Sequence, residues 1–167
     1  MAEPFVEGLP VDALVLLVGP SGSGKSTWAA TRFSSDVILS SDAFRQLVAG
    51  DAADQAATPD AFTVLHTVAR ARLRRGLPTV VDATNLTERA RHGLLRAAGK
   101  EGRPVVAIVF DLSLERCLTQ NAARPGRRVP TAVVRRHRRE LTAALARLPE
   151  EGYAALHVLH DEDLPAS

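Results

Sequence analysis

The sequence is poor in the residues that build covalent or metal-centred frameworks. It has one cysteine, Cys117, so an intrachain disulfide is excluded and no thiolate cluster is available. Its five histidines are scattered; His157 and His160 lie close together but lack a third ligand, so both read as strand-end or surface residues. Aromatics make up only 4%, so Leu, Val and Ala must fill the interior. Apolar runs are strand-sized, too short for a membrane-spanning helix. Residues 1–12 lack the basic start and apolar centre of a secretory signal, so a cytoplasmic location is expected.

Lysine is scarce as well. Of 21 cationic residues only Lys25 and Lys100 are lysines, and the net charge is just +2. Arginine is concentrated at Arg124, Arg127, Arg128, Arg135, Arg136, Arg138 and Arg139. Its planar fork suits pairs of phosphate oxygens, so this segment reads as a phosphate-facing surface. The plainer reading is a solvated helix face.

The chain does carry an apolar fraction of 46% over 167 residues, enough for one core and one domain. It also carries Gly19-Pro20-Ser21-Gly22-Ser23-Gly24-Lys25-Ser26-Thr27, a complete G-x-x-x-x-G-K-[ST] phosphate-binding loop. An apolar strand candidate, Ala13 to Val18, precedes it, and a helix candidate, Ser26 to Phe33, follows. Glycines let successive backbone N–H groups close on phosphate oxygens, and the helix N-terminus favours an anion. Lys25 would be a point charge on the β- and γ-phosphates, and the Ser26 hydroxyl would face Mg²⁺.

Strand and helix patterns then alternate. Val37–Leu39, Thr79–Val81, Val105–Phe110 and Ala155–Leu159 read as strands. Helices are expected with Phe44, Leu47 and Val48 on one face, then over Ala61–Arg75, Thr87–Ala98, from Ser113, and over Thr131–Leu148. The last should turn Val134, His137, Leu141, Leu145 and Leu148 inward. The alternation predicts an α/β fold, a parallel sheet of P-loop NTPase type with helices on both faces. Residues 123–130, broken by Pro125, Gly126 and Pro130, would form an Arg-bearing lid. The expected division is an N-terminal extension over 1–12, one domain over 13–160, and a tail or linker start over 161–167.

Parallel sheets bind ligands beyond the carboxyl ends of their strands. The loop, Asp42 and Asp82 all follow strands, so they should converge at one edge. Asp42 and Arg45, three apart at a helix start, share a face. That carboxylate can take a proton from an attacking hydroxyl, and the arginine can hold a phosphate; the plainer reading is an N-cap with a surface arginine. Asp82 can hold Mg²⁺ through water, with Thr84 and Asn85 bonding an acceptor; the plainer reading is a turn. Arg124, Arg127 and Arg128 in the lid can neutralise charge on a transferring phosphoryl group.

Taken in order, Gly19 to Thr27, Ser40-Ser41-Asp42 with Arg45, Val81-Asp82-Ala83-Thr84-Asn85 and the Arg-bearing lid ending at Val129 resemble the kinase module of bacterial polynucleotide kinase-phosphatases. Gly50-Asp51 to Asp54-Gln55, Ala61-Phe62 and Val64-Leu65-His66 are similar too, so the resemblance covers about Leu14 to Leu145. It implies transfer of the γ-phosphate of ATP or another NTP, with Mg²⁺, to the 5′-hydroxyl of DNA or RNA. By motif position Asp42 would be the general base and Arg45 would contact the acceptor or moving phosphate. Arg124 and Arg127 would be lid arginines near the donor. Two departures stand out: Gln120 occupies a position often held by arginine, and Pro125-Gly126 replaces more polar lid residues. Larger members continue into phosphatase and ligase-like domains. Two other readings fit the same loop. One is a small-molecule kinase for a sugar acid, nucleoside or antibiotic; the other is a non-catalytic nucleotide switch or ATPase module.

Overall fold

The computed structural model describes residues 8–166. Residues 1–7 of the expected N-terminal extension, and Ser167, lie outside the described residues. The fold is a five-stranded sheet in the order β2-β3-β1-β4-β5, formed by β1 (Leu14–Val18), β2 (Ile38–Ser40), β3 (Thr79–Asp82), β4 (Val105–Phe110) and β5 (Ala155–Leu159). Every ladder is parallel. Strands β1, β3 and β4 are buried throughout, which is why they read as continuous apolar runs rather than alternating ones.

Six helices connect the strands: α1 (Lys25–Arg32), α2 (Ser41–Ala49), α3 (Thr58–Arg74), α4 (Glu88–Lys100), α5 (Leu114–Ala123) and α6 (Thr131–Arg147). Leu65, Ala69 and Leu73 of α3, Leu94 and Ala98 of α4, and Leu141, Ala144 and Leu148 at the end of α6 cover one sheet face. Ala29 of α1, Cys117 of α5 and Val134 of α6 pack on the other. Burial raises the Cys117 thiol pKa, so the lone cysteine is a packing residue. Three helix starts are capped as their sequences suggest, with Ser40, Thr87 and Ser113 accepting from the N–H of Ala43, Ala90 and Arg116.

One expectation is corrected. Leu47 and Val48 of α2 are exposed (73% and 39%), and the helix instead buries Ser41 and Arg45. Helix α2 starts at the carboxyl edge of the sheet, so its inner face turns Arg45 to the site while Phe44 packs against the core. Asp161–Asp163 form a short 3-10 turn; the Asp161 carboxylate accepts from Ser113 N at 3.0 Å, and Arg116 donates to Asp161 O at 2.8 Å. Residues 161–166 therefore dock against the start of α5. No helix of the described residues is long and apolar enough to cross a membrane.

Candidate active site

The phosphate-binding loop joins β1 to α1 under close constraint. Gly22 and Gly24 take φ of +83° and +81°, the left-handed region where a side chain is strained. A Cβ on Gly22 would stand 2.8 Å from the Cys117 carbonyl oxygen, and one on Gly19 would stand 2.9 Å from Phe110 Cβ. The loop is thus pressed onto β4 and α5. Buried Ser23 donates to Pro20 O at 2.7 Å, so its hydroxyl serves the loop itself. Lys25 Nζ donates to Gly19 O at 3.0 Å, Pro20 O at 2.8 Å and Ser23 Oγ at 3.3 Å. Burial lowers the Lys25 pKa to about 8, with Asp82 opposing the shift. Ser26 and Thr27 are exposed on the first turn of α1.

Two ties hold the loop from outside. Gly19 N donates to Thr84 O at 3.0 Å, linking it to the segment after β3. Ser21 N donates to His137 Nδ1 of α6 at 3.2 Å. Burial, with Lys25 and Arg136 nearby, lowers the His137 pKa to about 4, so the ring is neutral and can accept.

Asp82 is the last residue of β3, opposite Leu17 of β1 and Ser40 of β2. Ser26 Oγ donates to Asp82 Oδ2 at 2.6 Å. These two oxygens, 56 residues apart in sequence, form the hard donor pair that Mg²⁺ prefers. Thr84 is half-buried beside them. Asn85, expected to face an acceptor, is turned inward: it is 2% exposed, has φ +48°, and donates from Nδ2 to Leu17 O at 2.8 Å. It fixes the end of β1 to the end of β3. Arg91 of α4 supports the same turn, donating to Asn85 O at 3.0 Å and Leu86 O at 2.9 Å while pairing with Glu151.

Asp42 lies in the first turn of α2, between two guanidinium groups. Arg45 pairs with its Oδ1 and Arg127, from the lid, with its Oδ2. Arg45 is itself buried and anchored through Nε to Ala52 O at 2.8 Å. Arg124 is half-buried; burial and then Arg127 lower its pKa, while Asp42 and Asp82 oppose the shift. The lid therefore brings two arginines over both carboxylates. Arg128 is exposed and points its Nε at Arg124 O, 3.4 Å away. Of the following arginines, Arg138 pairs with Asp111 at 2.8 Å and Arg136 with Glu140 at 3.6 Å, while Arg135 and Arg139 are exposed.

Two residues escaped the sequence reading. Asn121 is buried at the end of α5 and donates to Val129 O at 2.8 Å while accepting from Val129 N at 3.1 Å. This double bond closes the lid at its base. His137 had been placed on the inner face of α6, yet nothing in that pattern pointed to the phosphate loop.

The fold and this arrangement define a P-loop α/β protein of kinase type. The chain belongs to the AAA domain family, which matches residues 14–148. No curated protein matches it. Among solved structures it is similar to a chain in the structure of the Pnkp1/Rnl/Hen1 RNA repair complex, with TM-score 0.71 and 23% identity, covering 84% of this chain and 47% of that one. It is also similar to a chain of AvrRxo1-ORF1:-ORF2 with ATP, with TM-score 0.65 and 16% identity, covering 89% and 54%. A sugar kinase from Janibacter sp. HTCC2649 matches with TM-score 0.56 and 22% identity, covering 90% and 86%. The chain spans about half the length of the repair-complex chain. At these identities the likeness is one of fold.

Proposed function

We propose that this chain is an ATP-dependent kinase that phosphorylates the 5′-hydroxyl ends of DNA or RNA. The observation that carries the reading is Asp42, held by Arg45 and Arg127 at the sheet edge that also presents the phosphate loop. A nucleotide switch has no use for such a carboxylate; a hydroxyl acceptor does.

The residues divide the work as follows. Backbone N–H groups from Gly19 to Thr27, with Lys25, would cradle the donor phosphates. Ser26 and Asp82 would hold Mg²⁺, which supplies charge neutralisation on the β- and γ-phosphate oxygens. Asp42 would orient the acceptor hydroxyl and take its proton as the oxygen bonds to the γ-phosphorus and the bond to the ADP oxygen breaks. Arg45 would fix Asp42 and the incoming oxygen. Arg127 would leave Asp42 when substrates enter and join Arg124 and Arg128 around the transferring group. Thr84 would bond the acceptor, and Asn85 would offer it only Oδ1, since its amide nitrogen is bonded to Leu17 O. Phosphatase and ligase-like functions would come from further domains or subunits.

A small-molecule acceptor is the second reading, favoured by the match to a sugar kinase over most of both chains. The deciding assay is transfer of labelled γ-phosphate to a short 5′-hydroxyl oligonucleotide beside its 5′-phosphorylated twin. Label on the hydroxyl strand alone, lost in Asp42→Ala with ATP binding kept, is the expected result. No label on either strand, with ATP bound, would turn the reading to a metabolite acceptor.

A further inference from the structure

Away from the phosphate loop, α3 and α4 leave an open cleft of about 780 Å³ between them. Arg70 of α3 and Arg89, His92, Arg96 and Lys100 of α4 line it, with Glu88 as the only carboxylate. On α4 Arg89, His92, Arg96 and Lys100 recur at spacings of three, four and four, so they form one stripe down a single helix face. All five are exposed. Among the described residues, Arg70, Arg89, Arg96 and Lys100 make no ion pair, whereas Arg91 on the opposite face of α4 is buried and paired with Glu151. Like charges on one helix face repel, and Glu88 is the one carboxylate in the cleft lining to set against them. Gly93 forms part of the floor; a Cβ there would meet His66 Cε1 at 3.2 Å, so the bare backbone keeps the floor low.

The cleft is placed to continue the acceptor site. Helix α4 begins six residues after Asp82, so Arg89 lies in its first turn, at the edge of the sheet where the chemistry is. Lys100, eleven residues on, lies about 17 Å down the axis. Asp42 follows β2, and β2 and β3 flank the phosphate loop on one side; α3 packs on those two strands and α4 packs beside α3 on the same sheet face. A strand whose 5′ end reaches Asp42 can therefore leave along this cleft. The lining has no Phe, Tyr or Trp. Any base could stack only on the His92 ring or a guanidinium plane, contacts that tolerate every base, so recognition would rest on phosphates and be independent of sequence.

We propose that the α3–α4 cleft is the track for the single-stranded phosphodiester backbone downstream of the 5′ end, with Arg89 and Arg96 as its main phosphate contacts. The proposal rests on the polynucleotide kinase reading above. It is tested with 5′-hydroxyl homopolymers of about 3 and about 15 nucleotides, lengths that fall below and near the reach of a single-strand groove. For the wild-type protein, KM should fall with length. In the Arg89→Gln/Arg96→Gln double variant, KM for the long strand should rise about tenfold. KM for the short strand, KM for ATP and kcat should hold. The slope of log KM against log salt for the long strand should fall by about 1.4, or 0.7 for each lost phosphate contact. An Arg32→Gln/Arg147→Gln control, at exposed arginines ending α1 and α6, should leave the long-strand KM unchanged. Equal KM for both lengths in the wild-type protein, or an unchanged long-strand KM in the double variant, would overturn the track while leaving the kinase reading intact. An equal loss in the control would overturn it too, as general electrostatics. Failure of the wild-type protein to label either strand would overturn the kinase reading and the track with it.

Discussion

Replacing Arg91 by methionine tests how the turn behind the candidate site is held. Arg91 is 1% exposed and makes four hydrogen bonds: Nε to Glu151 Oε2 at 2.8 Å, Nη2 to Glu151 Oε1 at 2.5 Å, and Nη1 to the carbonyls of Asn85 and Leu86. Tyr153 adds a hydrogen bond to Glu151 at 2.8 Å. Burial pushes the Glu151 pKa up, but the hydrogen bonds from Arg91 and Tyr153 outweigh it and leave the carboxyl below its ordinary value. Methionine nearly matches the apolar stem. The loss is therefore that of a buried, bidentate charge pair with one partner left behind, about 3–5 kcal/mol. Two carbonyls losing their donor would add about 1 kcal/mol or more each if water cannot reach them. Urea unfolding should show the midpoint falling with the slope unchanged, and thermal melting should fall by roughly 10 °C for a chain of this size. The effect should shrink in acid. A depressed carboxyl contributes stability above its unfolded pKa and loses it as pH falls through the folded value, so the gap between the two proteins should narrow below about pH 4. A difference under about 1 kcal/mol at neutral pH would refute the reasoning, since it would give this pair the strength of a solvated surface pair.

Two further outcomes follow from the phosphate loop. With the Lys25 pKa held near 8, kcat/KM for ATP should fall above about pH 8, while urea unfolding of the ligand-free protein should show stability rising from about pH 8 to 10, because there the unfolded chain binds the extra proton. A flat kcat/KM up to pH 10 would refute the buried-lysine account. Gly22→Ala, forced into φ +83° and against the Cys117 carbonyl, should cost about 2 kcal/mol and abolish ATP binding by calorimetry. Gly99→Ala in α4, with open space around it, should be neutral or stabilising by up to about 1 kcal/mol, and near-wild-type ATP affinity in Gly22→Ala would count against the close packing of the loop.

Much of the fold could be read from apolar runs and their punctuation. Strand β4 falls where the run Val105–Phe110 puts it, because a run buried on both faces has no other home in a parallel sheet, and β5 falls on Ala155–Leu159 as a half-exposed strand at the sheet edge. Asp82 ends β3 and Asp42 lies in the helix turn that follows β2, both as the strand–helix alternation places them. Less legible were the contacts that depend on the folded chain. Asn85 bonds Leu17 across 68 residues, and Ser21 bonds His137 across 116. A D-A-T-N turn looks the same in sequence whether its asparagine faces solvent or the interior. Leu47 and Val48 misled through periodicity, since an amphipathic pattern does not say whether a helix lies on the sheet or stands at its rim. Nor does a run of arginines reveal that Arg138 is committed to Asp111 while Arg127 reaches back to Asp42.

The Asn121 amide grips both the N–H and the carbonyl of Val129, eight residues on. In effect a side chain stitches the neck of a purse. The stitch, with the direct packing of Cys117 on α5 and Val134 on α6, joins the two helices, and the segment between Asn121 and Val129 reaches the rest of the fold through the Arg127 pair with Asp42. Its length is thus a free variable. The closure entropy of a loop grows only with the logarithm of its length, so residues added around Pro125-Gly126 would cost a few tenths of a kcal/mol each at most. The reach of Arg124, Arg127 and Arg128 could then be lengthened, or their order rewritten, without disturbing the phosphate loop beneath. The scaffold can accommodate acceptors of different bulk by changing one tethered flap.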